Sequence, residues 1–184
     1  MKLSSQEFYK QYYNYAKIVE SNTGIPYEVI LAVWSWESDY KNNRISQDGI
    51  FNLGGTKYVS NSIAETKSGM YADYKDLTQM AQDFSRILNL SYYKEIKNNK
   101  GGGYKEYFED WNKSPYAESD YNVTEMIKRA TEFKKLSGSI TNTINQTEIE
   151  KDIYSNVNSY IESGVNPILM IGILSLIILS ISKI

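Results

Sequence analysis

Carboxylates are the residues of this chain best placed to do chemistry. Its 184 residues include no Cys and no His, which rules out a Ser-His-Asp triad, a thiolate nucleophile and a Cys/His zinc site. Acid and base work therefore falls to the 22 Asp and Glu. Glu37 is the first candidate. It sits in the run VILAVWSWESDY (29–40) and shares a helix face with Ile30, Val33 and Trp34. A carboxyl group desolvated by Trp and aliphatic neighbours holds its proton more tightly than one in water, which is what a proton donor needs near neutral pH. The same pattern also fits a glutamate at the solvent edge of an amphipathic helix, and spacing alone favours that plainer reading.

The elements that must position Glu37 can be read from periodicity and caps. Ser4 and Glu7 form a capping-box pattern ahead of Phe8, Tyr12, Ala16 and Val19 at helical spacing. Gly24, Ile25 and Pro26 close that helix and open a second, expected over Pro26 to Tyr40. From Lys41 to Tyr74 the chain is rich in Asn, Ser and Gly with short β-prone pieces such as Thr56 to Val59, the pattern of loops and one small hairpin. Leu77, Met80, Ala81, Phe84, Ile87 and Leu88 then form an amphipathic stripe after Asp76. Gly101 to Gly103 mark a turn. A last helix follows Pro115, opened by Asn122 with Glu125 and carrying Val123, Met126, Ile127, Ala130 and Phe133.

These patterns predict a mainly α chain in three parts. A helical domain spans residues 1–136, and a polar linker with a stalk helix spans 137–163. The segment 164–184 is apolar with no charge before Lys183, about the ~20 residues a transmembrane helix needs. A lipid bilayer is therefore one expected partner. The 20 Lys and Arg are dispersed rather than clustered, so no nucleic-acid partner is expected. No metal or organic cofactor is implied. The 17 Tyr and 3 Trp suit core packing and also stacking on sugar rings.

Four stretches, in order, carry a family resemblance: TGIPYEVILAVWSWES; Asn52, Leu53, Gly54, Gly55, Thr56 and Lys57; YADYKDLTQMAQDFSRIL followed by Tyr92 and Tyr93; and PYAESDYNVTEMIKRA. Together, over about residues 8 to 136, they resemble the bacterial endo-β-N-acetylglucosaminidase domain of autolysins and of the flagellar rod-cap hydrolase, glycoside hydrolase family 73. The resemblance implies a lysozyme-like helical domain acting on peptidoglycan glycan strands, with the family's β-lobe here cut down to a reduced β-hairpin between Lys57 and Tyr71. It implies that Glu37 is the general acid, that Tyr116 sits in the groove, and that Asn52 and Tyr121, within the matching motifs, contact substrate. Glu65 is the first candidate for a second carboxylate, with Asp48 and Asp73 as alternatives and a plain solvated loop residue as the other reading. Tyr58 is a candidate stacking platform; for Trp34 and Trp36 core packing is the expected role. Two departures bear on groove shape. The family's Gly-Trp-Gly after its Glu is here Asp39, Tyr40 and Lys41, and Gly54 stands where the family has Phe.

Glycoside hydrolysis needs a proton donor and a group that stabilises or traps an oxocarbenium-like centre, either a second carboxylate or the substrate's own N-acetyl group. A lytic transglycosylase of the same superfamily is the enzymatic rival. A non-catalytic wall-binding protein and a membrane-active protein are the alternatives of other classes. An N-terminus without a long apolar leader segment, combined with an apolar C-terminal segment, suggests a bacteriophage lysin, either virion-associated or tail-anchored, with virion components or the host envelope as its setting.

Overall fold

The computed structural model describes residues 2–42, 51–99, 101–116 and 120–141. Helix α1 (Ser5–Thr23) begins where the sequence places it. The Ser4 side chain accepts from the Glu7 amide while the Glu7 carboxylate accepts from the Ser4 amide, closing the capping box. It ends at Gly24, whose φ of 77° is the left-handed cap geometry. Phe8, Tyr12, Ala16 and Val19 are buried as their spacing predicts, and α1 packs on both α2 (Tyr27–Glu37) and α3 (Leu77–Leu88).

Helix α2 is the centre of the domain. Every residue from Glu28 to Ser35 is buried, so its amphipathicity is weak and it reaches a surface only at its ends. It stops at Glu37, three residues short of the expected Tyr40. Asp39, Tyr40 and Lys41 have φ of 46°, 54° and 67°, a left-handed reversal that costs about 1–2 kcal/mol per non-glycine residue. These are the positions where the resembling family carries Gly-Trp-Gly. Here the turn is held from outside: Leu3 N donates to Tyr40 O at 2.9 Å, Tyr40 N to Ser35 O at 3.1 Å, and Lys2 pairs with Asp39. The Tyr40 ring lies edge-on to Phe8 at 5.4 Å, and the Arg129 guanidinium sits 4.9 Å from the Tyr40 ring centre and 5.1 Å from that of Trp36.

The β-lobe is a two-stranded antiparallel hairpin, β1 (Thr66–Ser68) and β2 (Tyr71–Asp73), in register Thr66 to Asp73. The Thr56 to Val59 piece runs beside β2, with Ala72 N donating to Thr56 O and Tyr58 N to Met70 O, both at 2.9 Å. Helix α3 follows the expected amphipathic stripe and is capped by Asp76. A short 3-10 turn at Ser91–Tyr93 leads into α4 (Lys94–Asn98), and α5 (Tyr104–Lys113) follows the glycine turn. Helix α5 has no counterpart among the elements expected from sequence, although Tyr107, Phe108 and Trp111 are all buried. The last helix, α6 (Val123–Thr141), is capped by Asn122 Oδ1 accepting from Glu125 N at 3.1 Å. It runs beyond Leu136, where the sequence placed the end of the domain.

Aromatic rings form the core between α2, α3 and α5. Trp34 meets Phe84 at 5.5 Å and Phe84 meets Trp111 at 6.4 Å, each pair worth about 0.5–1.5 kcal/mol beyond area burial. By contact the chain divides into two units, Met1–Ser137 and Gly138–Ile184. Among the described residues no helix is long and apolar enough to cross a membrane. The linker beyond Thr141 and the expected membrane segment 164–184 lie outside the described residues.

Candidate active site

Because α2 ends at Glu37, the carboxylate emerges from the core at the wall of a cleft of about 410 Å³. Its half-buried side chain is gripped from two sides. Tyr121, four-hundredths exposed and just ahead of α6, donates its hydroxyl to Glu37 Oε1. On the other side the Gly54–Gly55 turn comes so close that a Cβ on Gly55 would stand 2.9 Å from Glu37 Oε2. Gly55 also has a φ of 64°, so a side chain there is excluded twice.

That turn is built by Asn52. The side chain is fully buried; Nδ2 donates to Thr56 O at 2.8 Å and Ala72 O at 2.9 Å, while Oδ1 accepts from Thr56 N at 2.9 Å. Both donors and one acceptor position are taken by the backbone, and Asn52, expected to contact substrate, is buried and does not line the cleft; it braces the Gly54–Gly55 turn from beneath. Gly54 has its own constraint. A Cβ would lie 2.6 Å from Phe84 Cε2 and 2.8 Å from the Tyr116 hydroxyl, which donates to Gly54 O. The Phe84 ring thus fills the space that a residue larger than Gly at position 54 would need.

Tyr116 and Tyr121 both line the cleft. Burial pushes both hydroxyl pKa values well above the usual tyrosine range; the Glu37 charge adds to this at each, and Tyr116 adds to it at Tyr121. Both therefore stay protonated donors near neutral pH. The Tyr116 ring is fixed edge-on by Phe84 and Trp111, each at 5.7 Å.

The other sequence candidates fall elsewhere. Glu65 is exposed at the mouth of β1 and does not line the cleft, since nothing in the short hairpin turns it inward. Asp73 is half-buried, its Oδ2 accepting from Thr66 Oγ1 at 3.2 Å across the hairpin; Asp48 lies outside the described residues. Tyr58 also misses the cleft, because its neighbours Lys57 and Val59 face it and an extended chain alternates sides. Trp34 is core, at zero exposure, as expected. Trp36 was expected in the core too, yet it lines the cleft and meets Tyr121 edge-on at 6.0 Å. Arg86, Tyr71 and Tyr93 complete the wall without having been given a role from sequence. Among the described residues lining the cleft, Glu37 is the one acid.

Residues 13–135 match the family model for Glucosaminidase, mannosyl-glycoprotein endo-beta-N-acetylglucosaminidase. The chain belongs to the glucosaminidase family. It is therefore a glycoside hydrolase, and the resemblance read from its four motifs is the correct one. Solved structures share the fold of this glucosaminidase at low sequence identity. The glycoside hydrolase domain of FlgJ from Salmonella typhimurium aligns with a TM-score of 0.62 and 14% identity over 81% of this chain and 99% of that one. The catalytic domain of the autolysin Auto from Listeria monocytogenes aligns at 0.57 and 16% identity, over 74% and 89%. A type VI secretion system effector–immunity complex from Pseudomonas protegens contains a chain that aligns at 0.59 and 14% identity, over 73% and 94%. No curated protein sequence matches the glucosaminidase.

Proposed function

We propose that this glucosaminidase hydrolyses the β-1,4 linkages between N-acetylated sugars in bacterial peptidoglycan, with Glu37 as the proton donor. The observation that carries the proposal is the two-sided grip on Glu37: one carboxylate oxygen held by the Tyr121 hydroxyl, the other beside Gly55 at the cleft wall. A positioned carboxyl group within reach of a scissile oxygen supplies about 10²–10⁴-fold in rate. Trp36, Tyr71 and Tyr93, rings on the same cleft, suit stacking on the apolar faces of pyranose sugars.

In this mechanism Glu37 gives its proton to the glycosidic oxygen as the C1–O bond breaks. Glu37 is the one acid among the described cleft residues, which favours the substrate's 2-acetamido carbonyl oxygen as the group that bonds to C1. Water then attacks C1, releases the acetamido oxygen and returns a proton to Glu37, leaving a reducing sugar end. The lytic transglycosylase reading rests on the same single acid and predicts an anhydro-muramyl end instead. Digestion of purified walls by wild type and Glu37→Gln, with mass spectrometry of the new ends, tests both. Reducing N-acetylglucosamine ends lost in the variant support hydrolysis. Anhydro ends would replace it with transglycosylation, and equal wall clearance by the variant would remove Glu37 from catalysis. The apolar run from Val165 to Ile184 supports attachment of the enzyme to a membrane, checked by fractionation of expressing cells. The phage-lysin setting is checked by immunodetection in purified particles.

A further inference from the structure

Asp83 of α3 is fully buried although ionisable. Its carboxylate is completely satisfied: Oδ2 accepts from Ser62 Oγ and Tyr74 Oη, each at 2.8 Å, and Oδ1 from Ile63 N at 3.2 Å and Arg86 Nε at 2.6 Å. Burial by itself would raise the Asp83 pKa, but these hydrogen bonds outweigh it and hold the group below the usual carboxylate range. The result is a fixed anion that holds Arg86 by the inner edge of its guanidinium.

The same side chain also reaches the cleft. Arg86 lines the same cavity as Glu37, and its side chain is a quarter exposed. Nη2 is shielded from solvent and has no hydrogen-bond partner. The Nε bond to Asp83 fixes the plane of the guanidinium, and the exposed quarter of the side chain is the part a ligand in the cleft can meet. Lys57 lines the cavity as well, so two basic side chains, one of them braced by Asp83, share the wall with Glu37. A planar, pre-oriented guanidinium is matched to carboxylate oxygens.

We propose that Arg86 is a specificity-determining residue that receives a substrate carboxylate, selecting acid-bearing glycans over neutral N-acetylglucosamine polymers. The inference rests on the peptidoglycan reading above, in which the acid comes from the lactyl ether of the muramyl sugar or from the peptide stem attached to it.

The test is binding by titration calorimetry, with Glu37→Gln as the background so that ligands persist. The ligands are a chitotetraose, a peptide-free N-acetylglucosamine–muramyl tetrasaccharide, the same tetrasaccharide with its lactyl acids converted to methylamides, and the stem-bearing form. Arg86→Gln is expected to lower the preference for acid-bearing over neutral ligand about tenfold, equivalent to about 1.4 kcal/mol. Arg86→Lys, which keeps the charge beside Asp83, is expected to recover part of it. Loss confined to the peptide-free acid assigns the lactyl group, and loss confined to the stem-bearing ligand assigns the stem. Equal weakening of neutral and acidic ligands by both variants, or no weakening, would overturn the role of Arg86 and leave the peptidoglycan reading standing. Failure of the Arg86-intact protein to bind any muramyl ligand would overturn both.

Discussion

The Tyr121 hydroxyl donates to Oε1 of Glu37 across 84 residues of sequence. Tyr121 keeps its proton because burial, the neighbouring Tyr116 and the Glu37 charge all oppose ionisation. It therefore acts as a fixed donor that orients one carboxylate oxygen and leaves the other toward Gly55 and the cleft.

Tyr121→Phe removes that donor while keeping the ring against Trp36. A hydrogen bond to a charged group is worth about 1.5–3 kcal/mol, so kcat/KM on a glycan substrate is expected to fall about 10- to 100-fold. The lost bond favoured the charged carboxylate, so the alkaline limb of the pH–rate profile should move to higher pH. A profile of unchanged shape would show that Tyr121 serves only packing.

Gly55→Ala places a Cβ against Glu37 Oε2 at a backbone angle that disfavours any side chain. Displacement of the donor by even an ångström can cost about 100-fold. Steady-state kinetics should show kcat falling far more than KM rises, with the circular dichroism spectrum preserved.

Asp83→Asn leaves the Arg86 charge without its partner in the wall, and breaking such a buried pair costs about 3 kcal/mol, read from urea denaturation. The sign with pH follows from the lowered Asp83 pKa. The stabilisation is complete above the unfolded-state value of about 3.9 and is lost as pH falls through the lower folded-state value. Wild-type Tm should therefore drop more steeply than that of Asp83→Asn below about pH 4.

Lys41→Gly relieves one of the three left-handed residues after α2. The expected gain is about 1 kcal/mol, seen as a higher Tm with wall-degrading activity retained. A lower Tm would show that contacts of the Lys41 side chain outweigh the backbone cost.

Much of the scaffold was legible because local signals and tertiary packing agree: Ser4 with Glu7, Asp76 and Asn122 cap the helices their positions announce. Glu37 was legible by its apolar run and by the family motif. The roles of its neighbours were harder to read. Asn52 looked like a polar groove residue, yet its three backbone bonds bury it, and no one-dimensional pattern distinguishes an amide that binds a ligand from one that braces a turn. The left-handed reversal at Asp39 to Lys41 was hidden because contacts with Leu3, Phe8 and Arg129, distant in sequence, overrule residue preference. Glu65 failed as a cleft acid because loop sequence carries no direction. Arg86, three residues after Asp83 on α3, was given no role from sequence, because the cleft it lines is assembled from segments distant along the chain.

The brace on Gly54 and the donor to Glu37 both come from the stretch joining α5 to α6, through Tyr116 and Tyr121. A ribosome that has released residue 100 has already made the acid, the glycine turn and the hairpin, but not the two phenols that finish them. Any fragment ending before Tyr121, whether nascent or clipped, is therefore a disarmed version of the enzyme, and the order of synthesis itself delays the moment at which the chain becomes able to cut.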